Sequence, residues 1–287
     1  MTRILCTFPG KYGDLLWALP SVRAISEAVG GPVDLVIAGA YQGLLPLLEL
    51  QPYLGKVTAL PAWEVQDTAP MTPRTPPLDA QEYDLVLHLG YRGWPQHPLP
   101  IETHDCACSQ WPTGYPDLPA LDLTRPWITP PAWAANLKQQ AVAVGFTEEY
   151  FELKVGVYQL IQAYPDADQR VNLSVGPRWR GEYCTSTSSG MSWDTAAAWL
   201  SRSAVFLGCN SALHVLACAI GTPVVIMEPN PQRHHEIFWP YGKSGPQVTQ
   251  VIGGDGQWTF DARHVWETVQ VVGKRRALEG LPSETSA

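Results

Sequence analysis

The first half of the chain alternates between short apolar runs and segments whose apolar residues recur at helical spacing. Short, mostly apolar runs, typical of buried strands, occur at "RILCTF", "VDLVIA", "KVTALP" and "YDLVLHLG". Leu15–Val29 instead repeats its apolar residues at helical spacing, and Tyr41–Leu50 has the pattern of a shorter helix. Strands that alternate with helices predict parallel βαβ units in a doubly wound sheet.

The second half shows the same alternation. Its predicted strands are "RVNLSVG", "AVFLG" and "PVVIM", and its predicted helices are Trp193–Ser201, Ala212–Ile220 and Asp261–Leu278. The long apolar stretch 203–227 contains Asn210 and His214, which a membrane span would have to bury. We therefore expect a strand–turn–helix–turn–strand unit there, and no membrane span.

The pattern loosens in the middle of the chain. Fourteen of the 27 prolines lie between Pro61 and Pro131, which predicts mostly loops and turns. A helical pattern returns at Ala132–Val144, with Gly145 as its C-terminal cap. We expect two Rossmann-like domains that face each other across a cleft, 1–160 and 161–287.

Composition narrows the function classes. A net charge of −8 in 287 residues disfavours a general nucleic-acid or anionic-membrane binder. Twelve Trp and eleven Tyr exceed the need of a core, so some of them are expected to line a cleft, where flat rings suit sugars and bases. His104, Cys106 and Cys108 lack the second ligand pair of a zinc site, so no metal is expected. The start of the chain has no signal-peptide pattern, which predicts a cytoplasmic protein.

The turn "PGKYGD" carries the first candidate chemistry. It joins a strand to a helix, where backbone N–H groups can face an anion, but it matches neither GxGxxG nor the Walker pattern. Asp14 has two compatible interpretations, a helix N-cap and a general base. With Asp14 as N-cap, Pro20 would free the carbonyl of Leu16, so we expect a kinked or irregular first turn.

Two further candidates lie in the second half. The strand ending at Gly208 leads into "CNSALH", where helix N–H groups would suit a diphosphate, although Asn210 or Ser211 could act as an ordinary cap with His214 at the surface. In "SVGPRWRGEY", Arg178 and Arg180 could bind phosphate or remain solvated surface charges.

The segment "FPGKYGDLLWALPSVRAI" resembles the N-terminal signature of the heptosyltransferase-like glycosyltransferases, family 9, which have the GT-B fold. "VFLGCNSALHVLACAIGTPVVIMEP" resembles the donor motif of that family, and "YDLVLHLGYRG" resembles the strand before its acceptor loops. The resemblance implies an inverting, metal-independent glycosyltransferase without a cofactor. Its donor would be a nucleoside-diphosphate sugar, and its acceptor a lipopolysaccharide-like glycan, a hydroxylated small molecule or a modified DNA base.

The resemblance also implies roles for individual residues. Asp14 matches the base that activates the acceptor hydroxyl. The acceptor side would include Lys11, Tyr12, Gly13, Tyr91 and Arg92. The donor side would include Arg178, Arg180, Asn210, Ser211, Ala212, His214 and Glu228.

The chain departs from the family pattern in its donor half. Asn210 and Ala212 replace Asp and Gly of the family's Asp-Ser-Gly turn, and Glu228 is a candidate substitute contact. About 30 residues separate "SVGPRW" from "FLGCNS", too few for another helix–strand repeat, so the C-terminal domain is expected to be trimmed. These departures leave a second hypothesis open, a non-catalytic nucleotide- or glycan-binding relative. A nicotinamide-dependent oxidoreductase is disfavoured, because GxGxxG is absent after the first strand.

Overall fold

The computed structural model describes residues 2–61, 63, 72–79, 81–91, 97–123, 125–145, 170–172, 191–209, 211–228, 248–252 and 261–279. They fall into two compact units: the first holds the described residues up to Thr129, and the second begins at Pro130. No helix within these ranges is long and apolar enough to cross a membrane.

The first unit is built on a four-stranded parallel sheet. Its strands are β1 (Ile4–Phe8), β2 (Val33–Ala38), β3 (Leu54–Leu60) and β4 (Leu85–His88), in the order β3-β2-β1-β4. Its helices are α1 (Tyr12–Val29), α2 (Leu45–Leu48) and α3 (Leu99–Gln110), with a 3₁₀ helix at Gly39–Leu44. β1 is buried along its length and has a neighbour on each side, which explains why all its residues but Thr7 are apolar.

The second unit contains a five-stranded parallel sheet. Its strands are β5 (Val142–Gly145), β6 (Arg170–Asn172), β7 (Phe206–Gly208), β8 (Val224–Glu228) and β9 (Val248–Ile252), in the order β6-β5-β7-β8-β9. Its helices are α4 (Trp193–Ser201), α5 (Ala212–Ile220) and α6 (Ala262–Glu279), with a 3₁₀ helix at Ala132–Asn136. Valines of α6 join β5, β7 and β8 in one apolar core cluster.

Two expectations about the middle of the chain are wrong. The helix expected at Ala132–Val144 is a short 3₁₀ helix followed by the strand β5, and Gly145 ends that strand instead of capping a helix. Because β5 pairs with β6 and β7, the second unit begins well before residue 161. The strand–turn–helix–turn–strand unit expected at 203–227 is confirmed as β7, α5 and β8.

A segment at the end of the first unit hydrogen-bonds to residues near its beginning. This clasp segment, Asp122–Thr129, receives two hydrogen bonds from the Arg23 guanidinium, to the carbonyls of Pro126 at 3.0 Å and Asp122 at 2.6 Å. The Tyr53 hydroxyl donates to the Trp127 carbonyl at 2.7 Å. The clasp segment therefore supplies backbone acceptors to the buried Arg23 guanidinium on α1 and to the buried Tyr53 hydroxyl just before β3.

Candidate functional site

The strand order of the first unit indicates where a ligand would bind. The chain proceeds outward from β1 to β2 and β3, and β4 is then added on the other side of β1. Ligands of open α/β sheets bind beyond the carboxyl ends of the strands at such a reversal. The β1–α1 turn, which carries Asp14, and the segment after β4, which carries Tyr91, flank this point.

The start of α1 differs from the expected one. The helix begins at Tyr12 with Lys11 as its N-cap, so Asp14 is its third residue and not its cap. No side chain caps the first turn. The N-cap interpretation of Asp14 is therefore wrong. Its carboxyl group makes no capping hydrogen bond and lies in the positive field of the helix N-terminus.

Pro20 is accommodated without ending the helix. α1 runs continuously from Tyr12 to Val29 through Pro20, so the predicted irregular first turn is wrong. The predicted release of the Leu16 carbonyl is confirmed, because the Trp127 indole N–H of the clasp segment donates to that oxygen at 3.1 Å. Leu16 and Trp127 are both buried, so this bond replaces the one that proline removes.

The environment of Asp14 suits a base. Its half-buried carboxyl group accepts a long hydrogen bond of 3.5 Å from the hydroxyl of Tyr91, which is itself buried. Burial raises the pKa of Asp14 from the usual 3.8 to about 6, while the Lys11 charge and the Tyr91 hydrogen bond act to lower it. A carboxyl group with this pKa is ionised at neutral pH yet holds a proton more strongly than an ordinary aspartate.

The other expected acceptor-side residues surround the same helix start. Lys11 is exposed, and Tyr12 and Gly13 are half-buried. The Tyr12 hydroxyl donates to the Ala40 carbonyl at 3.3 Å, and its ring meets Tyr41 edge-on with centroids 4.7 Å apart. The structure thus brings Asp14 and Tyr91 into contact and places Lys11, Tyr12 and Gly13 beside them in the chain. Arg92 lies outside the described residues.

The second unit has its own reversal of strand order, between β5 and β7. Both strands end in glycine there. A side-chain carbon at Gly208 would collide with the Gly145 carbonyl oxygen, and one at Gly145 would lie 2.8 Å from Leu213 Cδ1. Glycine at both strand ends therefore lets the two backbones and the start of α5 approach closely at the point where a ligand would bind.

The start of α5 is capped by Ser211, one of the two cap candidates from the sequence, and His214 adds a contact that was not predicted. Ser211 is the N-cap and Ala212 the first helical residue. The Ser211 N–H donates to Nδ1 of His214 at 2.8 Å, and His214 is buried, so it is not the surface residue of the alternative interpretation. The remaining N–H groups of the first turn point along the helix axis toward its N-terminal end, as they do in any helix.

The other donor-side residues have little or no structural description. Arg178, Arg180 and Asn210 lie outside the described residues. Glu228 is the last residue of β8 and pairs through its backbone with Ile252. The assignment of these residues to a donor site stays a prediction.

The hydrogen bonds that complete the end of β4 were not predicted from the sequence. β4 is the last of the described strands in its sheet. The Gln110 side chain hydrogen-bonds to its outer backbone groups, as a neighbouring strand would. The His88 N–H donates to Gln110 Oε1 at 2.9 Å, and Gln110 Nε2 donates to the His88 carbonyl at 2.9 Å. On the other side, the His88 ring contacts the buried Thr7 hydroxyl at 2.9 Å. No local motif marks Gln110 for this role, because its partner is 22 residues away.

Comparison with known proteins gives matches among solved structures only. No protein-family model and no curated protein sequence matches the chain. The chain is similar to the E. coli heptosyltransferase WaaC solved with ADP, at 16% identity over 94% of this chain and 100% of that chain, with a TM-score of 0.63. It is similar to a family 9 glycosyl transferase from Veillonella parvula, at 12% identity over 96% and 98% of the two chains, with a TM-score of 0.58.

A third similar structure is the E. coli ADP-heptose lps heptosyltransferase II, at 13% identity over 96% of this chain and 99% of that chain, with a TM-score of 0.51. Identities this low establish shared architecture and leave the chemistry to be argued from the site. The α/β, GT-B-like fold class predicted from the sequence is confirmed: the chain has the fold of the heptosyltransferases and family 9 glycosyltransferases to which it is similar.

Proposed function

We propose that the protein is an inverting, metal-independent glycosyltransferase that moves a sugar from a nucleoside-diphosphate sugar to an acceptor hydroxyl. The observation that carries the proposal is the position of Asp14, at the reversal of strand order and with its pKa raised to about 6. A base with a pKa near the working pH is the group that deprotonation of a sugar hydroxyl needs. The GT-B-like fold supports the same conclusion.

In the proposed reaction, the Asp14 carboxylate accepts the proton of the acceptor hydroxyl while that oxygen attacks the anomeric carbon. The bond from this carbon to the diphosphate oxygen breaks at the opposite face, and the nucleoside diphosphate leaves with the electron pair. The first-turn N–H groups of α5, together with Arg178 and Arg180, would stabilise the negative charge that develops on the diphosphate. The proton goes to Asp14, the sugar to the acceptor oxygen and the electron pair to the diphosphate, so the proposed step needs no cofactor.

Two comparison structures support the donor class, since WaaC was solved with ADP and with ADP-2-deoxy-2-fluoro heptose. We propose a nucleoside-diphosphate sugar for this chain on that ground. The proposed acceptor is a glycan of the lipopolysaccharide type, with a hydroxylated small molecule or a modified nucleobase as the alternative.

A second candidate function is non-catalytic binding of nucleotides or glycans. The observation that favours it is Asn210, which stands where the family motif has an acid and carries no charge. Calorimetry with a panel of nucleoside diphosphates separates the transferase proposal from a protein that binds glycans alone. Turnover then separates an enzyme from a protein that only binds.

The experiment incubates the protein with a panel of nucleoside-diphosphate sugars and acceptor glycans and follows product by mass spectrometry. Asp14→Asn is expected to lower kcat by about 10²- to 10⁴-fold, the contribution of a general base, and to leave nucleoside-diphosphate affinity within about twofold. Glu49→Gln, which changes an exposed carboxyl group in the same unit, is the matched control. Wild-type turnover in Asp14→Asn would refute the assigned role.

A further inference from the structure

The turn that follows α3 presents two aromatic rings in a fixed arrangement. The rings of Trp111 and Tyr115 meet nearly at right angles, with centroids 5.5 Å apart and an interplanar angle of 73°. The Trp111 indole N–H donates to the Pro116 carbonyl at 2.8 Å and so closes the turn. Gly114 has the left-handed φ of 97° that this tight turn requires. Both rings stay partly exposed.

Two contacts place this turn at the carboxyl edge of the first sheet. Gln110, directly before Trp111, is hydrogen-bonded to the backbone of His88, the last residue of β4. Near the other end of α3, the Pro100 carbonyl accepts from the Ser21 hydroxyl at 3.5 Å, well down α1. Because α1 begins at the carboxyl edge of the sheet and α3 ends there, the two packed helices are antiparallel.

The distance from the turn to Asp14 follows from helix geometry. Asp14 precedes Ser21 by seven residues, about 10 Å along α1, and Gln110 follows Pro100 by ten residues, about 15 Å along α3. Packed helices lie about 8–10 Å apart. The backbone of Trp111 is therefore on the order of 10 Å from Asp14, within the reach of a short oligosaccharide.

The charges in and after this turn favour a neutral acceptor over a phosphorylated one. The stretch 111–123 contains Asp117 and Asp122 and has no Lys or Arg. Phosphate groups are bound by cations, so this stretch disfavours a nucleic acid or a phosphorylated glycan. Two rings at right angles form an apolar corner that fits one ring face and one edge of a saccharide, whereas two parallel rings would be needed to sandwich a base.

We propose that the Trp111–Tyr115 corner is a subsite for a neutral sugar ring of the acceptor, one that holds the acceptor while its reactive hydroxyl lies at Asp14. This inference rests on the proposed transferase function for its connection to Asp14. Sugar binding at the corner itself is measured without turnover. The corner supplies affinity for the acceptor and takes no part in the proton transfer.

The test measures binding to an array of neutral oligosaccharides and their phosphorylated counterparts. Wild type is expected to bind neutral members, and Trp111→Ala is expected to weaken that binding about tenfold, as truncation of an aromatic anchor does. Trp111→Phe keeps a flat ring and is expected to retain most of the affinity. Trp133→Ala removes a tryptophan that is 42% exposed in the second unit and should change nothing.

Several outcomes would overturn the inference: no neutral saccharide bound by wild type, binding restricted to phosphorylated members, or equal binding by wild type and Trp111→Ala. Calorimetry with the full panel of nucleoside diphosphates on the same proteins separates this result from the transferase proposal. Nucleoside-diphosphate binding without neutral-sugar binding would refute the subsite alone. Neutral-sugar binding that depends on Trp111, without nucleotide binding or turnover, would support the subsite and refute the transferase.

Discussion

The raised pKa of Asp14 has a consequence for stability as well as for catalysis. In the unfolded chain the carboxyl group has its usual pKa of 3.8, and in the folded protein the value is about 6. The folded state therefore holds this proton more tightly, and the group favours folding only while it is protonated. Replacing Asp14 with Asn removes the ionisation and should stabilise the protein at neutral and alkaline pH.

The magnitude follows from the two pKa values. Their difference, from 3.8 to about 6, corresponds to an upper limit of about 3 kcal/mol at 1.36 kcal/mol for each pH unit. The carboxyl group is only half-buried, so water screens part of the effect and we expect about 1–2 kcal/mol. In the wild type, the stabilisation from the protonated Asp14 carboxyl group is fully present below about pH 4. It is lost as the pH rises through about 6.

The assay is equilibrium urea unfolding of wild type and Asp14→Asn between pH 4 and pH 8. Near-UV circular dichroism is the readout, and its signal includes the buried Trp17–Trp127 pair of the first unit, with centroids 5.7 Å apart. The advantage of Asn over Asp should grow with pH, while Glu49→Gln should show no comparable growth. A difference between wild type and Asp14→Asn that is constant across this range would show that burial does not raise this pKa.

Two other predictions concern hydrogen bonds of the same unit. Tyr91→Phe removes a donor to the Asp14 carboxylate and should move the acidic limb of the kcat/KM profile to higher pH, by less than about one unit because the bond is long; a shift to lower pH would contradict the assignment. Trp127→Phe leaves the buried Leu16 carbonyl without its donor and should lower the free energy of unfolding by about 1–3 kcal/mol. In a Pro20→Ala background the restored N–H can serve that carbonyl, so urea unfolding should show a smaller loss; equal losses in both backgrounds would refute this account.

The elements that the sequence predicted well are those in which local pattern and tertiary position agree. The bounds of β2, α4 and α5 match their predicted ranges. α1 was predicted from the helical spacing of its apolar residues, and the structure buries it on nearly every side.

The missed elements depend on distant partners. "AVAVG" follows residues that favour a helix, yet it forms β5 because β6 and β7 lie on either side of it. The segment that forms α3 was assigned to loops. Its many polar residues, together with Pro98 and Pro100, obscure the helical spacing of its few buried positions. β9 was not identified; its backbone pairs with β8 alone among the described strands.

The local structure around the candidate site was predicted only in part, because both helix starts there have unusual caps. The strand–turn–helix pattern located Asp14 correctly at a helix start, but not the third position in that helix, because Lys11 is an unusual N-cap. The role of His214 as the partner of the Ser211 N–H also escaped prediction, since a histidine is rare in that position of a capping box.

The clasp segment also bears on how the first unit forms during synthesis. α1 leaves the ribosome about one hundred residues before Trp127, which supplies the donor for the Leu16 carbonyl across a sequence separation of 111 residues. Contacts of such long range raise contact order and slow folding. A nascent chain that ends before the clasp segment would lack the indole donor to the Leu16 carbonyl and the two carbonyl acceptors of the Arg23 guanidinium. The first unit is therefore committed to folding late, after most of its own sequence has been made.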